Sequence, residues 1–519
     1  MKRFLQILAF AGFVTYTFFS CKTNSTTSVQ VDGNYPAEVA NILIGKCATS
    51  GCHNAATKAA GLALDSWEHL FQGSLSGADV IPYCTKYSYL LYRVCTDSNL
   101  GPVILPTQPP TIDPSKPAQP LSEAEYMTLY NWIAKGAPDK FGNIPFGSEP
   151  DTRQKVYLTQ QGSDLVTVID AKSMLVMRYI PVGIDPTLIE SPHGITISAD
   201  GMSAYVCFYA GAYIQKIDTR IDTVVGTINV GNTCAPNNIG SWNIIISSPG
   251  ADTAVLSSNI QLDNGDNGSL TFLKANPFKM ESCFGDFRNG IQFKYPHGLA
   301  SNEAFDTFYV TSEYGNVIYR FHPKDLKTGN FLETFTLDGQ APTYASSPTS
   351  PDPHEVEISP DGTKLFVADQ NSNDVRVVDL KNDSVIKIIP IGAKPQEFAM
   401  SNRSETPYLF VTCMEDANNP NPINKGSVYV INYNTYAIVK IIYGDFYQPH
   451  DICVDDINGR IFIPSTNLNP NGPAPHHCLP GTCHPGWYSV YDLNTLERSN
   501  AIRYEVPANP YSIGIRFEE

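Results

Sequence analysis

A pattern of strand-forming residues recurs at intervals of roughly 40 to 60 residues from about residue 151 to the end of the chain. Segments 192–201 and 353–362 show it best, because both run from a Pro-His pair through alternating apolar residues to an Asp-Gly turn. A period of this size is typical of folds that repeat one small structural unit. Alternation with a period of two indicates that the unit is made of β-strands. The pattern therefore constrains this part of the chain to an all-β repeat fold.

Shorter strand motifs of the Val-Thr-Val-Ile-Asp type accompany the repeat at 166–170, 375–379 and 428–432. Together these motifs resemble the YVTN repeat propellers of the YncE type. That resemblance implies an all-β seven-bladed β-propeller over residues 151–519. A lone inner-strand sequence at 511–517 predicts that the first blade is completed by the end of the chain, which closes the ring and removes free sheet edges.

A different motif lies near the N-terminus, where Cys47 and Cys52 are followed directly by His53. Two thiols and an adjoining imidazole are the groups with which c-type cytochromes hold haem, the cysteines through thioethers and the histidine through the iron. Four residues separate these cysteines, where two are usual. The alternative interpretation is an ordinary disulfide between Cys47 and Cys52.

Segments 61–66, 89–93 and 120–137 follow the cysteine motif in an order that resembles the small cytochrome c domains of planctomycetes and related bacteria. The resemblance implies a small all-α cytochrome c-like domain over residues 35–140 that carries covalent haem c. The family's second axial ligand is a methionine before a Pro-Pro pair, and Gln108 stands at that position here. Apolar spacing predicts helices over 37–46 and 122–135, the second with a capping box that pairs Ser122 with Glu125.

The first residues are typical of an export signal, with positive charge at 1–3 and an apolar stretch at 4–19 that ends shortly before Cys21. We expect a lipoprotein signal over 1–21 with lipidation of Cys21, then a flexible linker over 22–34; a plain secretory signal is the alternative. The protein is then exported to the periplasm or to the outer membrane or cell surface, and its lipid is its only membrane anchor.

Export bears on the remaining cysteines, because an oxidising compartment lets disulfides persist. We expect Cys84 and Cys95 to form a bridge, and Cys207, Cys413 and Cys453 to be small buried hydrophobic residues. The net charge of -16 argues against nucleic acid as a partner, since phosphates would repel this surface.

One position of the propeller repeat, the first residue of each inner strand, is occupied four times by histidine. The seven residues at this position are Tyr511, His193, Trp242, His297, His354, Gln396 and His450. Converging imidazoles bind transition metals or an anion. A purely structural role, in which each histidine bonds a neighbouring blade, is the alternative. The adjacent Glu355 and Asp451 either orient these imidazoles or face solvent.

The longest insertions, at 259–268, 414–426 and 467–487, fall in the loop that joins the second and third strands of a blade. This loop lies on the same face as the start of the inner strand, so the insertions predict a functional surface there. The last insertion contains Cys478, Cys483 and His484. Three interpretations remain open for it: a disulfide, a transition-metal site and a second covalent haem.

These features predict an exported haem c-binding electron-transfer protein whose propeller docks a partner or carries a metal-dependent redox site. A redox partner protein or a small-molecule substrate is the expected partner. Two alternatives are a non-catalytic binding scaffold with disulfides, and a propeller lyase or lactonase that uses the four rim histidines as metal ligands or as acid–base groups.

Overall fold

The computed structural model describes most of the chain in eight segments. They are residues 32–95, 121–230, 242–262, 267–284, 293–324, 332–344, 351–466 and 486–517. The signal segment with Cys21, the Gln108 position, and Cys478, Cys483 and His484 lie outside the described residues, so the predictions made for them stay predictions.

Short helices form the N-terminal part of the described chain. They are α1 (Ala37–Ile42), α2 (Trp67–Leu70), α3 (Tyr89–Val94) and α4 (Glu123–Ala134), with a π-helix at Leu43–Cys47 and a 3₁₀ turn at Ala59–Gly61. Helix α1 packs on α4 over a buried cluster that includes Leu43 and Leu129. None of the helices in the described segments has the length and apolar character that crossing a bilayer requires.

Helix α4 begins with the predicted capping box. The Ser122 hydroxyl accepts the Glu125 N–H at 3.3 Å, and the Glu125 carboxylate accepts the Ser122 N–H at 2.9 Å. These two bonds satisfy N–H groups that the first turn of a helix leaves unpaired. The helix ends before Gly136, whose φ of +96° suits a residue without a Cβ. The predicted boundaries of this helix are confirmed.

The rest of the described chain forms seven antiparallel sheets, whose strands are named from the inner strand outwards. Blade 1 is β29 (Pro510–Ile515), β1 (Lys155–Gln160), β2 (Leu165–Asp170) and β3 (Val176–Pro181). Blade 2 is β4 (Pro192–Ile197), β5 (Ser203–Phe208), β6 (Tyr213–Asp218) and β7 (Thr223–Asn229). Blade 3 is β8 (Trp242–Ser247), β9 (Thr253–Leu262), β10 (Asn267–Ala275) and β11 (Phe278–Phe284), with β12 (Phe293–Lys294) paired to β10.

The remaining four blades follow the same order. Blade 4 is β13 (Pro296–Ser301), β14 (Phe308–Ser312), β15 (Val317–Phe321) and β16 (Leu332–Thr336). Blade 5 is β17 (Pro353–Ile358), β18 (Lys364–Asp369), β19 (Asp374–Asp379) and β20 (Ser384–Pro390). Blade 6 is β21 (Ala393–Met400), β22 (Tyr408–Glu415), β23 (Ser427–Asn432) and β24 (Ala437–Ile442). Blade 7 is β25 (Cys453–Asp455), β26 (Arg460–Ser465), β27 (Gly486–Asp492) and β28 (Tyr504–Val506).

The ring closes as the sequence predicts, through pairing of the two ends of the propeller. Strand β29 pairs antiparallel with β1, with Ile513 opposite Leu158. Arg516 stabilises this closure, because its fully buried guanidinium donates hydrogen bonds to the main-chain carbonyls of Pro150, Arg153 and Gly201. Inner strands contact one another around the ring, and β25 contacts β29. The seven-bladed propeller is therefore confirmed.

A bulge near the start of the inner strands decides which way the rim residues point. Strands β4, β13, β17 and β29 each begin at a proline, which lacks the N–H that a ladder position needs. The pairing register shifts directly after that proline, for example between Pro192 and Ile195 in β4. Bulges of this kind re-aim side chains next to functional sites. Here the bulged residue is the rim residue itself.

The N-terminal region packs against the outer strands of blades 1 and 7. Ile81 is buried in a cluster of propeller residues that includes Leu175 and Tyr504. The rings of Tyr87 and Tyr179 lie 5.1 Å apart. The two regions therefore share a hydrophobic contact rather than only a linker.

The predicted Cys84–Cys95 disulfide is wrong, since Cys84 forms no disulfide. Cys95 is buried in the helical cluster of the N-terminal region, whereas Cys84 packs against the propeller cluster. The two side chains thus face different cores. Cys207, Cys413 and Cys453 are buried, as predicted. A disulfide is present elsewhere in the propeller, at Cys283.

Candidate metal centre

Four histidines from four blades converge in the mouth of the central channel. They are His193, His297, His354 and His450, and all are buried. The ring centroids of His297 and His354 lie 3.9 Å apart, and those of His354 and His450 lie 5.8 Å apart. His193 lies 6.3 Å from His450. The structure thus brings together the four histidines that the repeat places at equivalent positions.

A repeated threonine contact fixes the backbone that carries these histidines. Thr159, Thr311 and Thr412 occupy one position on the second strands of blades 1, 4 and 6. Their hydroxyls donate to the main-chain carbonyls of His193, His354 and His450 in the next blade, at 2.9, 3.0 and 2.7 Å. Because each bond joins two blades at a histidine, ring closure and placement of the imidazoles depend on the same contacts.

Cys207 stands at the equivalent position of blade 2, where its sulfur lies 3.5 Å from the carbonyl oxygen of Gly194. Gly194 belongs to the same blade, so this weak thiol contact stays within blade 2 and does not reach the next blade as the threonine contacts do. Cys207 is buried here as a small apolar side chain.

Other groups hold the Nδ1 atoms of two of the imidazoles. The side-chain amide of Gln161 lies 2.8 Å from His193 Nδ1, and His297 Nδ1 lies 3.1 Å from the His354 carbonyl oxygen. Metal-binding histidines usually donate their other N–H to an acceptor such as a carbonyl oxygen, as the His297 contact allows. Nε2 of His193 and Nδ1 of both His354 and His450 are buried without a hydrogen-bond partner. Such buried polar atoms are normally satisfied by a bound ion, a ligand or an ordered water.

Two glutamates complete donor groups with these histidines. His297, Glu313 and His354 place one ligand atom each within 4.8 Å of the others, and so do His354, Glu397 and His450. Glu313 follows β14 and enters from the loop between the second and third strands, whereas Glu397 lies within the inner strand β21. Imidazole with carboxylate is a donor set that first-row transition metals favour.

Sequence reasoning missed both glutamates, although the repeat contains a signal for each. Glu397 follows Gln396 as Glu355 follows His354 and as Asp451 follows His450. Glu313 lies two residues after Thr311, just as Gln161 lies two residues after Thr159. Extending the repeat by these two positions therefore finds the carboxylates as well as the imidazoles.

Three carboxyl groups from blades 5 to 7 lie behind the imidazoles. Burial raises the pKa of Glu355 to about 8 and that of Asp451 to about 6. Burial and the neighbouring carboxyls raise the pKa of Glu397 well above its usual range, and it shares a hydrogen bond with Glu355. Backbone N–H groups of Val356 and Ile513 donate to Glu355 and Asp451. Glu355 and Asp451 thus bond backbone N–H groups and the side chains of Glu397 and Ser512.

Burial also decides the protonation of the imidazoles. It lowers the pKa of His193 to about 3 and that of His297 to about 4, and it lowers the pKa values of His354 and His450 well below the usual range. Each ring is therefore neutral at physiological pH. Neutral imidazole is the form that binds metal ions.

The other rim residues differ in what they contribute. The ring of Tyr511 stacks on His450 at a centroid distance of 3.6 Å and lies 4.4 Å from His193. The Gln396 amide donates to the carbonyl oxygens of Lys394 and Pro395, so it is bound to its own strand. The side chain of Trp242 lies outside the described residues. Tyr511 therefore joins the histidines at the rim, and Gln396 does not.

The N-terminal cysteine motif lies at the end of the π-helix and in the turn that follows it. The thiols of Cys47 and Cys52 are free and partly exposed, and burial raises the pKa of Cys47 to about 11. His53 Nδ1 lies 3.4 Å from the carbonyl oxygen of Leu62. This leaves Nε2 as the nitrogen available to a metal, in the arrangement usual for metal-binding histidines. Two free thiols and such an imidazole are a donor set that fits covalent haem.

Comparison with known proteins assigns neither a family nor a function to this chain. A scan against protein-family models and a search of curated proteins find no match. One similar solved structure is described as "a functionally unknown protein from Desulfotomaculum acetoxidans DSM 771". It is 12% identical, covers 69% of this chain and 99% of its own, and has a TM-score of 0.46. A likeness at this level assigns no function.

Proposed function

We propose that this protein is an exported, metal-dependent redox protein in which a propeller metal centre exchanges electrons with haem c bound to the N-terminal region. The observation that carries the proposal is the ring of four buried imidazoles, three of which have a ring nitrogen without a hydrogen-bond partner. Burying such groups without a partner costs stability, and a bound metal ion offsets that cost. A non-catalytic scaffold would account for His297, which contacts the next blade through the His354 carbonyl oxygen, but not for the ring nitrogens that lack a partner.

The donor chemistry supports a first-row transition metal. Imidazole suits iron, copper, nickel and zinc, whereas calcium and magnesium prefer sites made only of oxygen ligands. The three-residue groups around His354 each offer two imidazoles and one carboxylate. Within this class, iron and copper change oxidation state, so they are the metals that could exchange electrons with a haem.

The haem part of the proposal rests on Cys47, Cys52 and His53, which would hold the porphyrin and its iron. Haem bound there supplies one-electron transfer. The export part rests on the apolar segment that precedes Cys21, and the disulfide at Cys283 suits an oxidising compartment. The lipid on Cys21 would anchor the protein, and its partner would be a redox protein or a small molecule that enters the channel mouth.

The chain's own residues have distinct roles in this proposal. The histidines bind the metal in their neutral form, and the threonine contacts between blades hold them in place. Glu355 and Glu397 retain a proton between them beside the metal ligands. Tyr511 covers the side of the ring between His193 and His450 and reduces the access of water there.

Metal analysis of the full-length protein, matured in a host that attaches haem, tests both halves. We expect a transition metal in addition to haem iron, and a Soret band. His354→Ala should abolish the extra metal, His450→Ala should reduce it, and both should leave the Soret band unchanged. His322→Ala is the matched control, because this histidine lies outside the channel and bonds Thr307. Metal content unaffected by the channel variants contradicts the metal centre, and a colourless protein contradicts the haem.

A hydrolytic or lyase activity is the second candidate, favoured by the carboxyl pair of Glu355 and Glu397 beside the donor groups. Such a pair holds a proton that a metal-bound substrate can exchange. Replacing the native metal with Zn²⁺ separates the two candidates. A lyase or lactonase keeps activity with zinc, whereas electron transfer through the propeller stops.

A further inference from the structure

Five donor residues in the channel mouth fall into two groups that share one member. His297, Glu313 and His354 form the first group, and His354, Glu397 and His450 form the second. Within each group the ligand atoms lie within 4.8 Å of one another. Among the described residues, no set larger than three meets that limit. The donors are therefore arranged around two positions.

One ion cannot hold all five donors in this arrangement. Metal–ligand bonds to nitrogen and oxygen are about 2.0–2.2 Å long, so even opposite ligands of one ion lie no more than about 4.4 Å apart. The five ligand atoms do not all lie within 4.8 Å of one another, so at least two of them are too far apart to bind the same ion. We propose that the channel mouth binds two metal ions, an outer one at His297, Glu313 and His354 and an inner one at His354, Glu397 and His450. The inference rests on the proposed metal centre.

Unpaired buried atoms of the inner group point to an ion at that position. Glu397 Oε1 and the Nδ1 atoms of His354 and His450 are buried without a hydrogen-bond partner. Because buried polar groups are normally hydrogen-bonded or bind metals, an ion at the inner position is the simplest group that satisfies these atoms.

His354 is the residue that links the two positions, because it belongs to both groups. Its Nδ1 is buried and has no hydrogen-bond partner. If each ring nitrogen held one ion, the single N–H proton would leave to solvent and the imidazolate would serve both positions. No oxidant or reductant is needed for this step, since only a proton is exchanged for a metal ion.

The two positions also differ in exposure. Glu313 of the outer group is half-buried, whereas the residues of the inner group are all buried. A chelator should therefore remove the outer ion before the inner one.

The inference is tested by loading the full chain with zinc and comparing the zinc content of each variant with that of the parent protein. Zinc bound at other sites is the same in both and drops out of the comparison. After dialysis against Zn²⁺, we expect Glu313→Gln and Glu397→Gln each to bind one zinc fewer than the parent protein, and the double variant to bind two fewer. His354→Ala should also lose two. Glu333→Gln, on the half-exposed outer strand of blade 4, is the control that should lose none. Circular dichroism checks that each variant is folded.

The outcomes separate this inference from the proposed function. A double variant that loses only one zinc shows a single-ion site, which overturns the two-ion inference and leaves the metal centre standing. If His354→Ala and the folded double variant bind as much zinc as the parent protein, both ideas fail. Single losses that do not add in the double variant also count against two positions.

Discussion

The N-terminal region and the propeller assemble their donor groups in opposite ways. Cys47, Cys52 and His53 lie within seven consecutive residues, on one turn that main-chain bonds hold together, such as that from the His53 N–H to the Cys47 carbonyl. The propeller collects His193 and His450 across most of its length, by repeating one strand position in successive blades. A local change therefore affects the first donor set alone, whereas the second depends on the whole ring.

This difference implies different sensitivities to damage. The turn that carries the cysteine motif can keep its shape when a distant part of the chain is altered. The four channel histidines cannot keep their arrangement in that way. Hydroxyl contacts from one blade to the next, such as that from Thr311 to His354, fix the backbone that carries them. Substitutions at the contact between the two regions can affect both of them, so these residues test whether the two regions respond to damage independently.

Ile81 should have the largest effect on stability. It belongs to the N-terminal region by sequence, but it is 3% exposed within a propeller cluster. We expect Ile81→Ala to lower the free energy of unfolding by about 2–5 kcal/mol, since it leaves a cavity between the two regions. Urea unfolding followed by tryptophan fluorescence measures this. Ile184→Ala, at a position 62% exposed, is the matched control and should change little.

Equal stabilities for the two isoleucine variants would contradict the shared core. A large loss confined to the helical region, with the propeller transition unchanged, would restore a strict division into two independent regions.

Much of the propeller is predictable from sequence because its signal is repeated. The Pro-His start of β4 and of β17 is the same pattern, so errors in one blade are corrected by another. Glu397 escapes prediction because it follows Gln396 rather than a histidine, although it reaches the same site. The Cys84–Cys95 prediction fails because closeness along the chain does not say which core a thiol faces.

Asp79, two residues before Ile81, makes the contact region sensitive to pH. Burial raises the pKa of its carboxyl to about 7, whereas an unfolded aspartate titrates near 4. Between these values the folded state retains a proton that the unfolded state has lost. Stability should therefore fall as pH rises from 4 to 7, by up to about 1.4 kcal/mol per pH unit from this group.

Urea unfolding at pH 5 and pH 7 measures this dependence. Asp79→Asn should flatten it, because the amide carries no proton to lose, and the exposed Glu303→Gln should leave it unchanged. An unchanged slope in the Asn variant means that other groups set the pH response.

Gly298 tests how tightly the blades approach each other beside the metal centre. A Cβ at this position would lie 2.5 Å from the His354 carbonyl oxygen and 2.7 Å from the Glu355 Cα. Both are backbone atoms of the next blade, so Gly298→Ala should cost about 1–3 kcal/mol through overpacking. Thermal unfolding checks this against Gly250→Ala, whose nearest neighbour would be a side-chain oxygen at 3.5 Å. Similar melting temperatures would show that the blades can move apart at little cost.

Gln161 should have the smallest effect, and it acts on the metal rather than on the fold. Its amide lies 2.8 Å from His193 Nδ1, so it orients the ring without binding an ion. Loss of such an orienting group typically weakens metal affinity by about 10–100-fold. Because His193 belongs to neither three-residue donor group, we expect Gln161→Ala to weaken zinc binding by less than this factor in competition with a chelator, with the melting temperature of the apo protein little changed.

Gln370→Ala is the control for that measurement, because it occupies the same position in blade 5, where the next blade presents Gln396 instead of a histidine. Its zinc affinity should equal that of the parent protein. If both glutamine variants lose affinity equally, the rim tolerates no truncation in this loop, and His193 has no special dependence on Gln161. If neither glutamine variant loses affinity, the threonine contacts between blades hold the histidines without a bond to His193 Nδ1. The histidines are then positioned by the backbone alone.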